Sequence, residues 1–213
     1  MIIKFRPTLA TLLLAVTLPA AAGYDGSWHR VDWWSGEWPH GFTMAADATI
    51  MIRGTADADA PRSVECHLPK NATYHPWNDA RTKRDNLLFV TFTKVQDYRV
   101  EKAHKASLER QADHATVTIR FKAGDRWSYL AYGSEGLFLM RFKDADYVAN
   151  QDLAEASTLV SGSDEAPQEW LRLDCANGTS GWLFMNDVPQ GGPFGEPNTP
   201  DYGRAEDAPP PAN

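Results

Sequence analysis

Residues 169–188, EWLRLDCANGTSGWLFMNDV, decide the fold: two short apolar runs joined by Asn177-Gly178, a strong short-range hairpin signal. Pairing Ala176 with Thr179 across a two-residue turn puts Leu171, Leu173, Cys175, Ser180, Trp182 and Phe184 on one face, which is expected to be core. Trp170, Arg172, Asp174, Thr179, Gly181, Leu183 and Met185 then take the opposite face. Gly181 removes a side chain where a twisted ribbon must bend.

Working outward, other segments repeat the strand pattern. Residues 49–53 (TIMIR) and 63–68 (SVECHL) flank a polar loop, and Val64, Cys66 and Leu68 point inward between Glu65 and His67. A further strand is expected over 87–95. Val117, Ile119 and Phe121 alternate with Thr116, Thr118 and Arg120, while 127–132 and 137–142 flank the loop Gly133-Ser134-Glu135-Gly136 as a hairpin. A short strand over 147–149 and a helical turn within 152–158 complete this set. Residues 100–112, rich in Ala, Glu, Lys, Arg and Leu and lacking Gly and Pro, are the helix candidate on propensity. The chain therefore divides into a first β unit (24–97), a connector with a short helix (98–112) and a second β unit (113–188). Residues 189–213, rich in Pro and Gly, read as a disordered tail.

Trp170, Gly178 and the Gly181-Trp182 pair stand as they do in the closing hairpin of bacterial SH3-like domains, which this segment resembles. Residues 49–77 resemble the opening half of the same fold: a strand ending in Arg53, a polar loop, and a second strand ending in Leu68-Pro69-Lys70. The resemblance implies a mainly β protein, built as small antiparallel SH3-like barrels or as a β-sandwich. It also implies binding of cell-wall peptides, glycans or proteins, without catalysis.

The amino terminus names a compartment. Lys4 and Arg6 precede an apolar run from Leu9 to Leu18 and then Pro19-Ala20-Ala21-Ala22-Gly23, the order of a secretory signal peptide spanning 1–22. The run is too short for a membrane span. Export to a bacterial periplasm or the medium is expected. Loss of Lys4 and Arg6 leaves 19 basic against 28 acidic residues, a net charge of −9. That balance, with no unbroken basic stripe, argues against nucleic acid. The chain has two cysteines, Cys66 and Cys175. In an oxidising compartment a single disulfide is the default, with two buried free thiols as the alternative.

Candidate binding residues cluster in residues 27–42, SWHRVDWWSGEWPHGF. Trp28, Trp33, Trp34 and Trp38 stand there among His29, Asp32, Glu37 and His40. Aromatic faces beside carboxylates suit a glycan or a peptide, because a ring covers the apolar face of a sugar while carboxylates accept its hydroxyl protons. The alternative is that the rings are core. Tyr74 and Trp77, flanking His75-Pro76, would extend the platform or pack as a rigid turn. No cofactor is expected. Cys66, His67 and His75 fall one ligand short of a metal site, and no nucleophile elbow, phosphate loop or zinc-protease helix occurs. The function expected is a non-catalytic cell-envelope protein binding peptidoglycan, another glycan or an envelope protein. The competing expectation is an inhibitor of a basic enzyme such as lysozyme.

Overall fold

A computed structural model describes residues 23–33, 41–74, 89–188 and 191–194 of the 213-residue chain. The expected signal peptide and most of the expected tail lie outside these residues. In chain order the strands begin with β1 (Trp28–Val31), β2 (Phe42–Thr43), β3 (Ala48–Arg53), β4 (Arg62–Leu68) and β5 (Thr73–Tyr74). Next come β6 (Phe89–Lys94), β7 (Gln96–Val100), β8 (His104–Arg110), β9 (Thr116–Phe121) and β10 (Arg126–Ser134). The series ends with β11 (Leu137–Phe142), β12 (Ala145–Asn150), the short helix α1 (Gln151–Glu155), β13 (Ser157–Ser161), β14 (Gln168–Asp174) and β15 (Ser180–Phe184).

Over the described residues the protein is mainly β, in three antiparallel sheets. Six strands run β1-β6-β14-β15-β3-β4, seven run β13-β7-β10-β11-β12-β8-β9, and β2 pairs with β5. The strands associate differently from the expected units. The closing hairpin β14–β15 lies in the same sheet as β3 and β4, and residues 96–161 form the seven-stranded sheet between them in sequence. The two segments read from the sequence as opening and closing halves thus occupy one sheet. That sheet is open, and no closed barrel forms among the described strands.

The register of β14–β15 corrects the reading of the hairpin. Leu171 faces Leu183, Leu173 faces Gly181 and Trp170 faces Phe184. The loop therefore has three residues, Ala176-Asn177-Gly178, closed by Cys175 N–H to Thr179 O at 2.9 Å and Gly178 N–H to Cys175 O at 3.0 Å, with Gly178 at φ 82°. One residue of slip turns every side chain of β15 over. Leu183, not Trp182 or Phe184, joins Leu171, Leu173 and Cys175 in the core. Gly181 is demanded by close approach: a Cβ there would stand 2.6 Å from Arg53 O.

The hairpin tip curls onto the outer edge of β4. Ala176 N–H donates to His67 O at 2.9 Å, while Asn177 Nδ2 and Thr179 Oγ1 both donate to Glu65 O, at 3.0 and 2.6 Å. The Cys66–Cys175 disulfide expected from the sequence, with Cα atoms 5.1 Å apart, pins the same place. These contacts do at one end of the sheet what a strand ladder would do in a barrel.

Each large sheet wraps its own core. Phe42, Met44, Ile52, Leu68 and Leu171 fill the first, with β2–β5 as a lid. Leu108, Phe121, Trp127, Phe138 and Met140 fill the second, where Leu153 of α1 packs and the Trp127 indole donates to Ser157 Oγ. Three consecutive residues, Phe138, Leu139 and Met140, are buried because β11 is covered on both faces. Leu139, with Leu130 and Ala131 of β10, meets Val31 of β1 where the sheets touch.

Two further expectations are corrected. The helix proposed over 100–112 is instead the end of β7 and the whole of β8, in which Ala106 and Leu108 turn inward. Residues 191–194, within the expected tail, pack on the fold. Phe194 is buried in the first core, edge-on to Phe42 at 5.2 Å, and Pro193 O accepts from Ala45 N–H at 2.8 Å.

Candidate functional site

The outer face of the six-stranded sheet, away from its core, carries an aromatic and cationic layer. Strand alternation places Trp28 beside Lys94, Val90 beside Trp170, Trp170 beside Phe184, and Trp182 beside Arg53. Tyr24 lies over this layer. Its ring stacks on Phe92 at 3.6 Å, and its hydroxyl accepts from the Trp170 indole at 2.8 Å while donating to Gln168 Oε1 at 2.7 Å. Burial pushes the Tyr24 pKa up to about 12, so the phenol keeps its proton and the relay holds across the physiological range. Trp170 is fully buried in this polar setting, with the Arg53 guanidinium 5.4 Å from its ring centre.

Of the six expected binding residues, Trp34, Trp38 and Trp77 lie outside the described residues. Tyr74 is core: it is 6% exposed, pairs with Phe42 across β2–β5 and packs on that ring at 5.3 Å. It therefore offers no open face to a ligand. Trp28 is half-buried, with Lys94 Nζ 4.7 Å from its ring and Tyr24 edge-on at 5.4 Å. Trp33 is the exposed one, at 36%.

Trp33 is held although it is exposed. Its indole N–H donates to Tyr132 O of β10 at 3.1 Å, and its own carbonyl accepts from Thr91 Oγ1 of β6 at 2.6 Å. One bond reaches each sheet, so the ring sits at their junction with its orientation fixed in advance. Beside it in the chain, Asp32 is paired with Arg30 at 3.2 Å, both largely exposed. Ring, carboxylate and guanidinium together supply an apolar face, acceptors and donors within the four residues 30–33.

A second feature escaped the sequence reading. Arg53 and Arg62 are cross-strand partners on β3 and β4, and Asp187, in the 3-10 turn Met185–Asp187 after β15, bridges them at 2.7 Å each. Arg53 is further committed, donating to Ala60 O at 3.1 Å and Ala58 O at 3.4 Å. Since β3 pairs with β15 only at Arg53–Trp182, the strands leave a cleft of about 290 Å³ whose apolar wall includes Ile50, Ile52, Leu183, Phe194 and Trp182. Its signal in the sequence was weak, because Arg53 ends an apolar strand and Asp187 lies 134 residues away. Among the described residues no His, Cys, Asp and Glu cluster suits a metal ion, and Cys66 is committed to the disulfide. No family model, curated protein or solved structure matches this chain.

Proposed function

We propose that this chain is an exported, non-catalytic binding protein of the bacterial cell envelope, of SH3-like character, that takes a peptidoglycan-type glycan or peptide at Trp33. The observation that carries the reading is Trp33, whose exposed ring is tied to one sheet through its indole N–H and whose backbone carbonyl is tied to the other. A ring ordered before binding loses little rotamer freedom on contact, so more of its stacking energy appears as affinity. The Asp32–Arg30 pair beside it supplies the polar groups that orient a sugar or peptide.

Export is supported by the Cys66–Cys175 disulfide, which persists in oxidising compartments. Gly23, the first residue left after cleavage at Ala22, lies against the Asp57 carboxylate. The α-ammonium made there would find an opposite charge at hand. The test is retention on insoluble peptidoglycan. Trp33→Ala should lose most of the bound fraction while its melting temperature stays within about 2–4 °C of the parent, as for a surface substitution. Equal retention of the variant and the parent, at low and high salt alike, sinks the assignment to Trp33. Retention that collapses with salt in both proteins favours capture through charge, as an inhibitor of a basic enzyme would use.

A further inference from the structure

We infer that the cleft between β3 and β15 is a second binding site, for the free carboxyl end of a short peptide with small apolar terminal residues, received by Arg62. It lies between the third and fourth strands out from β1, roughly 14–19 Å at ordinary strand spacing, so it is separate from Trp33. Like charges on directly opposed residues of β3 and β4 repel, and the fold answers Arg53 and Arg62 with one carboxylate, Asp187. Arg53 has further carboxylates in its neighbourhood, since Asp57 and Asp59 act on the same Tyr24 hydroxyl as Arg53 does.

Arg62 is the more open of the pair: its side chain is 52% exposed, against 11% for Arg53, and it ion-pairs with Asp187 through Nη2. A guanidinium has five N–H donors in a planar fork, so the remaining edge suits a second carboxylate, bound through two parallel hydrogen bonds. Arg53, buried and held by Ala58, Ala60, Asp187 and Trp170, keeps the bridging Asp187 in place.

The cleft behind Arg62 selects what carries the carboxylate. Its wall is apolar, and about 290 Å³ is at the lower end of ligand pockets. Two small residues fit such a space, whereas a long acyl chain does not. The β3–β15 ladder stops at one residue pair, so main-chain groups border the cleft on both sides, as an extended peptide end requires.

The test uses the full mature protein with N-acetyl-alanyl-alanine and its C-terminal amide, followed by calorimetry and by the indole resonance of Trp182. The acid should bind saturably and shift that resonance, and the amide should bind about tenfold more weakly, since it cannot accept the charged fork. Arg62→Gln should bring the acid down to the level of the amide, with Arg62→Lys in between. Both variants should melt close to the parent, because an exposed ion pair contributes little to stability. Acid and amide binding alike, absence of saturable binding, or an acid preference that survives Arg62→Gln would each overturn the assignment. Trp33→Ala should leave this binding unchanged, which separates failure of this site from failure of the Trp33 site. Loss of the acid preference in Trp33→Ala would overturn the independence claimed here.

Discussion

Leu183 and Trp182 exchange roles when the hairpin loop grows from two residues to three. Leu183 packs in the first core beside Leu171, whereas Trp182 stands partly exposed on the outer face beside Arg172. Leu183→Ala should therefore cost about 2–5 kcal/mol by leaving a cavity, and Trp182→Ala clearly less, although it removes the larger side chain. Urea unfolding of the two variants decides the order. The reverse order would restore the two-residue turn. The sequence misled here because Ala176-Asn177-Gly178-Thr179 satisfies both loops, each of which wants glycine at positive φ. What chose between them is not local: the Asn177 amide and the Thr179 hydroxyl both donate to Glu65 O, more than a hundred residues away. The burial of Tyr74 in the core was hidden for a similar reason. Its partner Phe42 comes from a strand of two residues, too short to leave a pattern.

Among the elements, strands with strong alternation were legible in the sequence, and those defined by their neighbours were not. β3, β4, β6, β9, β10 and β11 all fall where apolar residues recur at every second position or in a short apolar run. β8 does not stand out, because Lys105, Glu109 and Arg110 favour a helix in isolation. Its pairing with β9 through six residue pairs, and with β12 on its other side, outweighs that preference. The tip of β14–β15 is the element whose fixing is most open to measurement. The disulfide closes a loop with sequence separation 109, worth up to about 4–5 kcal/mol if it acts mainly on the unfolded chain. Cys66→Ala/Cys175→Ala should lose most of that in urea unfolding while keeping the hairpin register, because Ala176, Asn177 and Thr179 still bond to β4. A loss of protection at the Ala176 amide in the double variant would show that the sulfur bridge, rather than these hydrogen bonds, sets the tip on the edge.

At the scale of the molecule, the chain crosses between its two large sheets at Val95, which separates β6 from β7, and returns after β13. The crossing strands are packed tightly: a Cβ on Gly162 would stand 2.6 Å from Val95 O. Where the sheets meet, His29 of β1 is half-buried near Arg141 and Asp146, which form a two-bonded ion pair on β11 and β12. Burial, and then the Arg141 charge, lower the His29 pKa below its ordinary 6.5, against the opposing pull of Asp146. The sign of the stability effect follows from proton counting. As pH falls through 6.5 the unfolded chain takes up a proton on His29 that the folded chain still refuses, so stability falls. The contribution is fully present above the unfolded value, and its loss is complete once pH has passed below the lowered folded value. Parent protein should therefore lose stability on going from about pH 7.5 to 5.5, before most carboxylates titrate, and His29→Gln should flatten that segment of the profile. The measurement is the urea midpoint across this range for both proteins. A parent profile that rises toward pH 5.5, or one that His29→Gln leaves unaltered, would mean that His29 is not held neutral between the sheets.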